Sequence, residues 1–361
     1  MHQGLKYCLS ALLSLNLLTA PASAANAPLQ EAIQQNKPAR VIELIRKGLP
    51  ANSRVSTSQE GPFQLTTYTV EVPLLSWAVV HQHLELARLL IQKGASPDSY
   101  YTYVENETGL VGGSSGDHYY PELREIPLLL WAFEHDDLPL AQFILQLGAN
   151  PDLIDRSTGQ SLLVSNVAAA RIQAVKFLLA HGAKANLAGQ SPLVTAAERG
   201  DLPMIKLLLE HHSQINQQDA QLASPVMKAL ACPECLQRLL AARPNLDLQD
   251  QDGKTALIRA VQSDQEAAIR QLLQSGAQLQ PKDKSGNSAL SYAIASKDFH
   301  LMSLLSQSQA IPAALQNYIA LMLAIEANRS DQLKSLLKPG LDLNFSGPEG
   351  QTPLIFAVQK G

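Results

Sequence analysis

Rings and charges are scarce in this chain. Of its 361 residues only 5% are aromatic and 17% charged, although 46% are hydrophobic. The apolar content is therefore aliphatic, with 61 leucines and abundant alanine, a composition that suits many short, closely packed helices better than a few cores built on rings. The net charge is -4, from 28 basic and 32 acidic residues spread along the chain. A nucleic-acid surface needs a basic patch, so that class of partner is not expected. No apolar run of 18 or more residues follows position 25, and a membrane-spanning fold is excluded there. Phosphate loops, dinucleotide fingerprints and metal-binding helix pairs are also missing, so neither a cofactor nor a metal is expected.

The first 25 residues differ from the rest. His2 and Lys6 precede an apolar run from Leu9 to Leu18, and Ala22-Ser23-Ala24 follows Pro21. A short apolar stretch before small residues reads as a secretory signal cleaved after Ala24; the run is too short for an anchor to span a bilayer comfortably. Residues 1–24 are thus expected to be an address to a secreted or periplasmic location, leaving Cys232 and Cys235 in the mature chain. Membrane insertion is not expected after cleavage.

Beyond this segment the chain repeats itself. Ser191-Pro192-Leu193, Ser224-Pro225-Val226, Thr255-Ala256-Leu257, Ser288-Ala289-Leu290 and Thr352-Pro353-Leu354 share one register, extended by Leu162 and Ala320. The second positions are spaced by 30, 33, 31, 33, 31 and 33 residues, the regularity of a stacked array. About twenty residues on, a second marker recurs: Leu89-Leu90 before Gly94, Ile144-Leu145 before Gly148, Leu178-Leu179 before Gly182 and Leu272-Leu273 before Gly276. Ser or Thr before Pro is a helix cap, and Gly after a leucine pair is a helix stop. Each unit reads as turn, short helix, tight turn, longer helix, Gly stop.

These residues resemble the ankyrin repeat, whose pattern runs Gly-x-Thr-Pro-Leu, Ala-Ala, Leu-Leu-x-x-Gly-Ala. Gly350-Gln351-Thr352-Pro353-Leu354 is the nearest match at the start of a unit, and Leu178 to Ala183 at its end. His212, Pro244 and residues 307–309 depart from the terminal Gly. The resemblance implies an all-α ankyrin-repeat solenoid of stacked helix pairs over residues 25–361, carrying β-turn fingers and acting as a non-catalytic scaffold for another protein. Residues 25–52 form a partial first repeat and 350–361 an incomplete last one, which would leave Leu354, Ile355, Phe356 and Val358 uncovered.

Two insertions break the register. From the terminal Gly to the next Pro-equivalent position the interval is 25 residues from Gly48 to Pro73 and 33 from Gly94 to Pro127, against 10 to 14 elsewhere. Alternating Thr, Tyr and Val over residues 67–72 and 101–105 is strand chemistry. Residues 53–72 and 99–125 are therefore read as two β-hairpin fingers, side by side at the roughly 10 Å spacing of packed helices and close enough to pair into one small sheet. Six of the nine tyrosines lie there: Tyr68, Tyr100, Tyr101, Tyr103, Tyr119 and Tyr120. Tyrosine on adaptable loops supplies large contact area at little entropy cost, which makes this cluster the expected partner-binding surface; packing the hairpins onto the stack is the other role open to each ring. Trp77 and Trp131 align with Ala196, Ala229, Ala260 and Ala293 on the Pro register and read as fillers of space opened by the inserts.

Two local motifs invite a catalytic alternative. Gly112-Gly113-Ser114-Ser115-Gly116 matches Gly-x-Ser-x-Gly, with Asp117 and His118 beside it, but a nucleophile elbow needs a strand and a helix under a parallel sheet. Cys232-Pro233-Glu234-Cys235 falls in an inter-helix turn. It reads first as a local disulfide and second as a redox pair, since a helix start favours the thiolate. A hydrolytic or redox enzyme using Ser114 or Cys232/Cys235 is the rival to the scaffold.

Overall fold

A computed structural model describes residues 27–60, 67–111, 118–187, 189–296, 298–306, 313–337 and 352–360. Residues 1–24, expected to be a signal, and Ser114 lie outside the described residues. The chain divides into two compact units between Leu162 and Leu163.

Unit 1 begins with helices α1 (Ala27–Gln34) and α2 (Pro38–Arg46), followed by strands β1 (Arg54–Glu60) and β2 (Thr67–Pro73) and helices α3 (Leu74–Val80) and α4 (Leu84–Gln92). The pattern repeats with β3 (Tyr100–Val111), β4 (His118–Pro127), α5 (Leu128–Glu134) and α6 (Leu138–Gln146). Unit 2 contains α7 (Leu162–Ala168), which starts at the boundary, α8 (Ile172–Ala180), α9 (Pro192–Glu198), α10 (Leu202–Glu210), α11 (Pro225–Lys228) and α12 (Pro233–Leu240). It continues through α13 (Ala256–Gln262), α14 (Glu266–Gln274), α15 (Ala289–Ala295), α16 (Phe299–Ser306), α17 (Ala313–Glu326), α18 (Ser330–Leu336) and α19 (Pro353–Lys360).

Capping fixes these lengths. Ser191, Thr255 and Ser288 accept the N–H of Val194, Ile258 and Ser291 and start the inner helices α9, α13 and α15; Asp137 and Asp201 accept those of Leu140 and Met204 and start the outer helices α6 and α10. Such a cap contributes about 1 kcal/mol. The outer helices α4 and α14 each bury one stripe, Leu86, Ala87 and Leu90 on the first and Ala268, Ile269 and Leu272 on the second. Complete burial of one such leucine stabilises by roughly 1.5–3 kcal/mol.

Register between neighbouring turns is held by a polar contact that recurs. Asp98 accepts the N–H of Asn150 at 2.7 Å, Asn186 that of Gln214 at 2.6 Å, Asn216 that of Asn245 at 2.8 Å and Asp247 that of Gln278 at 3.4 Å. Where the terminal glycine is missing, His212 and Arg243 take the left-handed conformation, with φ of 60° and 54°. The leucine-pair helix thus ends the same way without it.

Three expectations need correction. The strand pairs are separate two-stranded antiparallel sheets, so they do not join into one. The inner helix expected at Ala320 already runs from Ala313, because the stretch from Ala313 to Ile319 holds no Pro or Gly to break a helix. Phe356 is buried, its ring 5.6 Å from that of Phe299, whereas Leu354, Ile355 and Val358 are exposed.

Candidate partner-binding surface

Both strand pairs rise from unit 1 directly into an inner helix. In β1 and β2, Val55 faces Val72 across the ladder, and both are buried with Val70. In β3 and β4, Thr102 and Ile126 are buried in the same way. The bases are tied down by polar contacts: Gln30 of α1 brackets Ser56 through the Ser56 carbonyl (2.6 Å) and N–H (3.1 Å), and the Ser76 hydroxyl donates to the Tyr100 carbonyl at 2.9 Å. β2 packs against β3.

Pro73 and Pro127 are the last residues of β2 and β4, not the first of their helices. Leu74 and Leu128 therefore correspond to Pro192, and the Pro register is one residue out at the two tryptophans. Trp77 and Trp131 match Ser165, Thr195, Arg259 and Tyr292, a position that is half-buried in those units, while the buried alanines 196, 260 and 293 match Ala78 and Ala132. In unit 2 this position reaches the turn before its own helix: Arg259 pairs with Asp250, and the Tyr292 hydroxyl donates to Asp283 at 2.5 Å. In unit 1 it carries an indole.

An aromatic cluster results. Trp77 is 2% exposed, with the rings of His81 and His83 at 5.1 and 5.0 Å. Trp131 is half-buried, stacked on His135 at 4.0 Å and met edge-on by Tyr101 at 5.8 Å; Tyr101 also stacks with Tyr103 at 6.3 Å. His81 and His135 each donate from Nδ1 to the carbonyl of their own Trp, at 2.9 and 2.8 Å, which fixes the ring beside the indole. Burial raises the Tyr101 phenol above its ordinary pKa. Between α1, β1, α3 and β3 lies a groove of about 490 Å³ lined by Ile33, Gln34, Asn36, Ser56, Thr57, Trp77, Val80, His81 and Tyr101.

The six expected tyrosines divide. Tyr101 and Tyr103 belong to this cluster, and the Tyr103 hydroxyl accepts from Arg124 at 3.1 Å. Tyr100 is occupied within the chain: its hydroxyl donates to the Ile154 carbonyl at 2.7 Å, and the Arg156 guanidinium sits 4.0 Å over its ring. Tyr68, Tyr119 and Tyr120 lie on β2 and β4, with side chains outside the described residues. His81 and His135, exposed at the ends of α3 and α5, were the residues missed. Their signal is Trp-x-x-x-His, present at 77/81 and 131/135, the i,i+4 spacing of neighbours on a helix.

Burial first, and the positive charge of His81 second, hold the His83 imidazole below its ordinary value of 6.5. A base whose folded pKa is lowered binds fewer protons folded than unfolded, so its contribution is present above about pH 6.5 and lost as pH falls through the folded value. Denaturant midpoints for unit 1 should therefore fall between pH 7.5 and 5.5. In His83→Gln, which keeps a donor for the Asn36 oxygen now 2.7 Å away, that part of the fall should disappear.

In unit 2, Cys232 and Cys235 are disulfide-bonded, with Cα atoms 5.2 Å apart. Among the described residues no group of three or more His, Cys, Asp or Glu side chains could hold a metal, and no helix is long and apolar enough to cross a membrane.

Comparison with known proteins agrees with the repeat architecture. A family model described as Ankyrin repeats (3 copies) matches residues 129–219 and 226–314, and one described as Ankyrin repeat matches 72–100. Similar proteins include the Ankyrin repeat and KH domain-containing protein mask-1 of Caenorhabditis elegans, 24% identical over 72% of this chain and 11% of that protein. The potassium channel AKT2/3 of Arabidopsis thaliana is 27% identical over 45% of this chain and 22% of the channel. Ankyrin repeat and SOCS box protein 6 of Homo sapiens is 33% identical over 34% and 32% respectively. The chain thus spans about a tenth to a third of the length of these relatives.

Proposed function

The chain belongs to the ankyrin-repeat family, and from that membership we propose that it is an interaction scaffold that binds another protein through the two strand-pair fingers of unit 1. The observation that carries this reading is the meeting of Trp77, Trp131, Tyr101, Tyr103, His81 and His135 where the fingers join their inner helices, beside the 490 Å³ groove. Rigid rings with a polar edge are what protein interfaces concentrate at their centres. A chain with 5% aromatic residues places both of its tryptophans at the bases of the fingers, Trp77 buried beneath the groove and Trp131 half-buried beside Tyr101. The same reading puts the mature chain, from Ala25 onward, in a secreted or periplasmic compartment, supported by the composition of residues 1–24 and by a disulfide.

The test uses a partner captured by the mature chain. Deleting residues 99–125 should abolish capture. A second variant, Tyr103→Ala with His135→Ala, leaves the helices in place and should weaken binding about 30-fold or more, the loss that goes with removing a hot spot of about 2 kcal/mol. Arg238→Ala in unit 2 should bind as the parent does. Full affinity in the deletion variant, with helical circular dichroism preserved, would overturn finger-mediated binding.

A further inference from the structure

The Cys pair of unit 2 interrupts the repeat in a way the scaffold does not require. In the surrounding units the cap of the outer helix follows the first residue of the inner helix by nine positions, as from Pro192 to Asp201 or Ala256 to Gln265. From Pro225 to Cys232 the interval is seven, and the inner helix α11 has only four residues. Cys232 occupies the capping position filled by Asp137 and Asp201 elsewhere. Cys235 occupies the buried position held by Leu86, Leu140, Ala174, Met204 and Ala268.

Three features distinguish the two sulfurs. Cys232 is half-buried, while Cys235 is wholly buried. The Cys235 N–H donates to Cys232 Sγ at 3.2 Å, and the eight-residue helix α12 starts at the next residue, so a thiolate released at Cys232 meets both an N–H and the positive helix end. In the unit before, the left-handed residue ahead of the outer helix is Gly200, where other units place Gln82, Asp136, Ala170 or Asp264. A Cβ at Gly200 would come within 3.7 Å of Cys232 Cβ and 4.0 Å of its sulfur; glycine leaves that side of the sulfur uncovered.

The geometry points to a thiol–disulfide exchange site at Cys232/Cys235, acting on an exposed dithiol of a peptide or protein. One client thiolate attacks Cys232 Sγ, the Cys232–Cys235 bond breaks, and Cys235 leaves as a thiolate that takes a proton from solvent. The client's second thiolate then attacks the client sulfur of the mixed disulfide and displaces Cys232. Two electrons and two protons pass from the client to the pair, and the client leaves as a disulfide. Exchange chemistry in unit 2 is thereby added to the binding proposed for unit 1.

The test is a trapping experiment on the full mature chain with a synthetic peptide bearing two cysteines. With the oxidised parent chain and reduced peptide, native conditions should yield about one peptide disulfide per chain. For trapping, Cys235→Ala and Cys232→Ala are each incubated with the peptide in its disulfide form and read by intact mass. Cys235→Ala should give a covalent adduct on Cys232, and Cys232→Ala at least tenfold less. Alanine already fills the Cys235 position in α8 and α14 as Ala174 and Ala268, so the first variant should fold, as circular dichroism checks. In the reduced parent, iodoacetamide should modify Cys232 at least tenfold faster than Cys235 at pH 7. Equal trapping by both variants, or exchange only after denaturation, would overturn the proposal and leave a structural clip.

Discussion

Asp155→Ala is expected to destabilise unit 1 by about 2–3 kcal/mol, the cost of leaving hydrogen-bond donors around a buried carboxylate unsatisfied. Asp155 is fully buried. Its Oδ1 accepts from the Ser157 N–H at 2.9 Å and the Ser157 hydroxyl at 2.7 Å, and its Oδ2 accepts from Thr158 at 3.0 Å and faces Arg124 at 3.4 Å. The alanine variant strands the Ser157 and Thr158 donors and removes one of the two carboxylates that face Arg124. Arg124 also contacts Glu134 at 3.4 Å and the Tyr103 hydroxyl, so the change would loosen the aromatic cluster as well as the turn. Burial pushes the Asp155 carboxyl up, but the Ser157 and Thr158 hydrogen bonds and the Arg124 charge outweigh it and hold the pKa below its ordinary value of 3.8. An acid with a lowered folded pKa contributes stability that is present above about pH 3.8 and lost as pH falls through the folded value. Denaturant titrations should therefore show a constant parent-minus-variant difference near neutrality that shrinks in acid. Asp155→Asn keeps one acceptor oxygen, for Ser157, and sets an amide N–H2 where Oδ2 accepted from Thr158 and faced Arg124; it should cost about 1–2 kcal/mol.

The second large effect belongs to Gly253→Ala, at about 3 kcal/mol. Gly253 has φ of +78°, and a Cβ there would lie 2.9 Å from the Lys284 nitrogen and 3.2 Å from two Asp283 backbone atoms. That nitrogen donates to the Asp252 carbonyl at 2.9 Å, joining one turn to the next. The substitution adds left-handed strain of roughly 1–2 kcal/mol to the loss of a hydrogen bond worth about 1 kcal/mol. Gly182→Ala is the matched control: its φ is +88°, but nothing lies within 4 Å, and His212 already holds the equivalent position in the following unit. It should cost only the strain. Thermal unfolding of the two variants separates clash from conformation, and equal losses would show that the turn-to-turn approach contributes nothing.

Much of the array was legible because its signals are local. Ser191 with Pro192, or Leu178-Leu179 before Gly182, specify a cap or a stop within four residues, and the helices begin and end there. The Pro register failed at Pro73 and Pro127 because proline also suits the end of a strand, and only the strands extending to those residues show which role it takes. The candidate surface was half legible. Tyrosine enrichment led to the fingers, but the choice between binding and packing is made at Tyr100 by Arg156 and Ile154, more than fifty residues away. The pairing of Arg124 with Asp155 has no local signature; it exists because the end of one strand pair folds over the next turn.

The polar contact between neighbouring turns has a mechanical meaning. In unit 2 the bonds from Asn186, Asn216 and Asp247 to the N–H groups of the following turns are arranged in series, one per repeat. A load drawn along them passes in full through each and is not shared, so the weakest yields first and can close again while its neighbours hold. Unit 2 is thus built as a spring whose extension comes in repeat-sized increments.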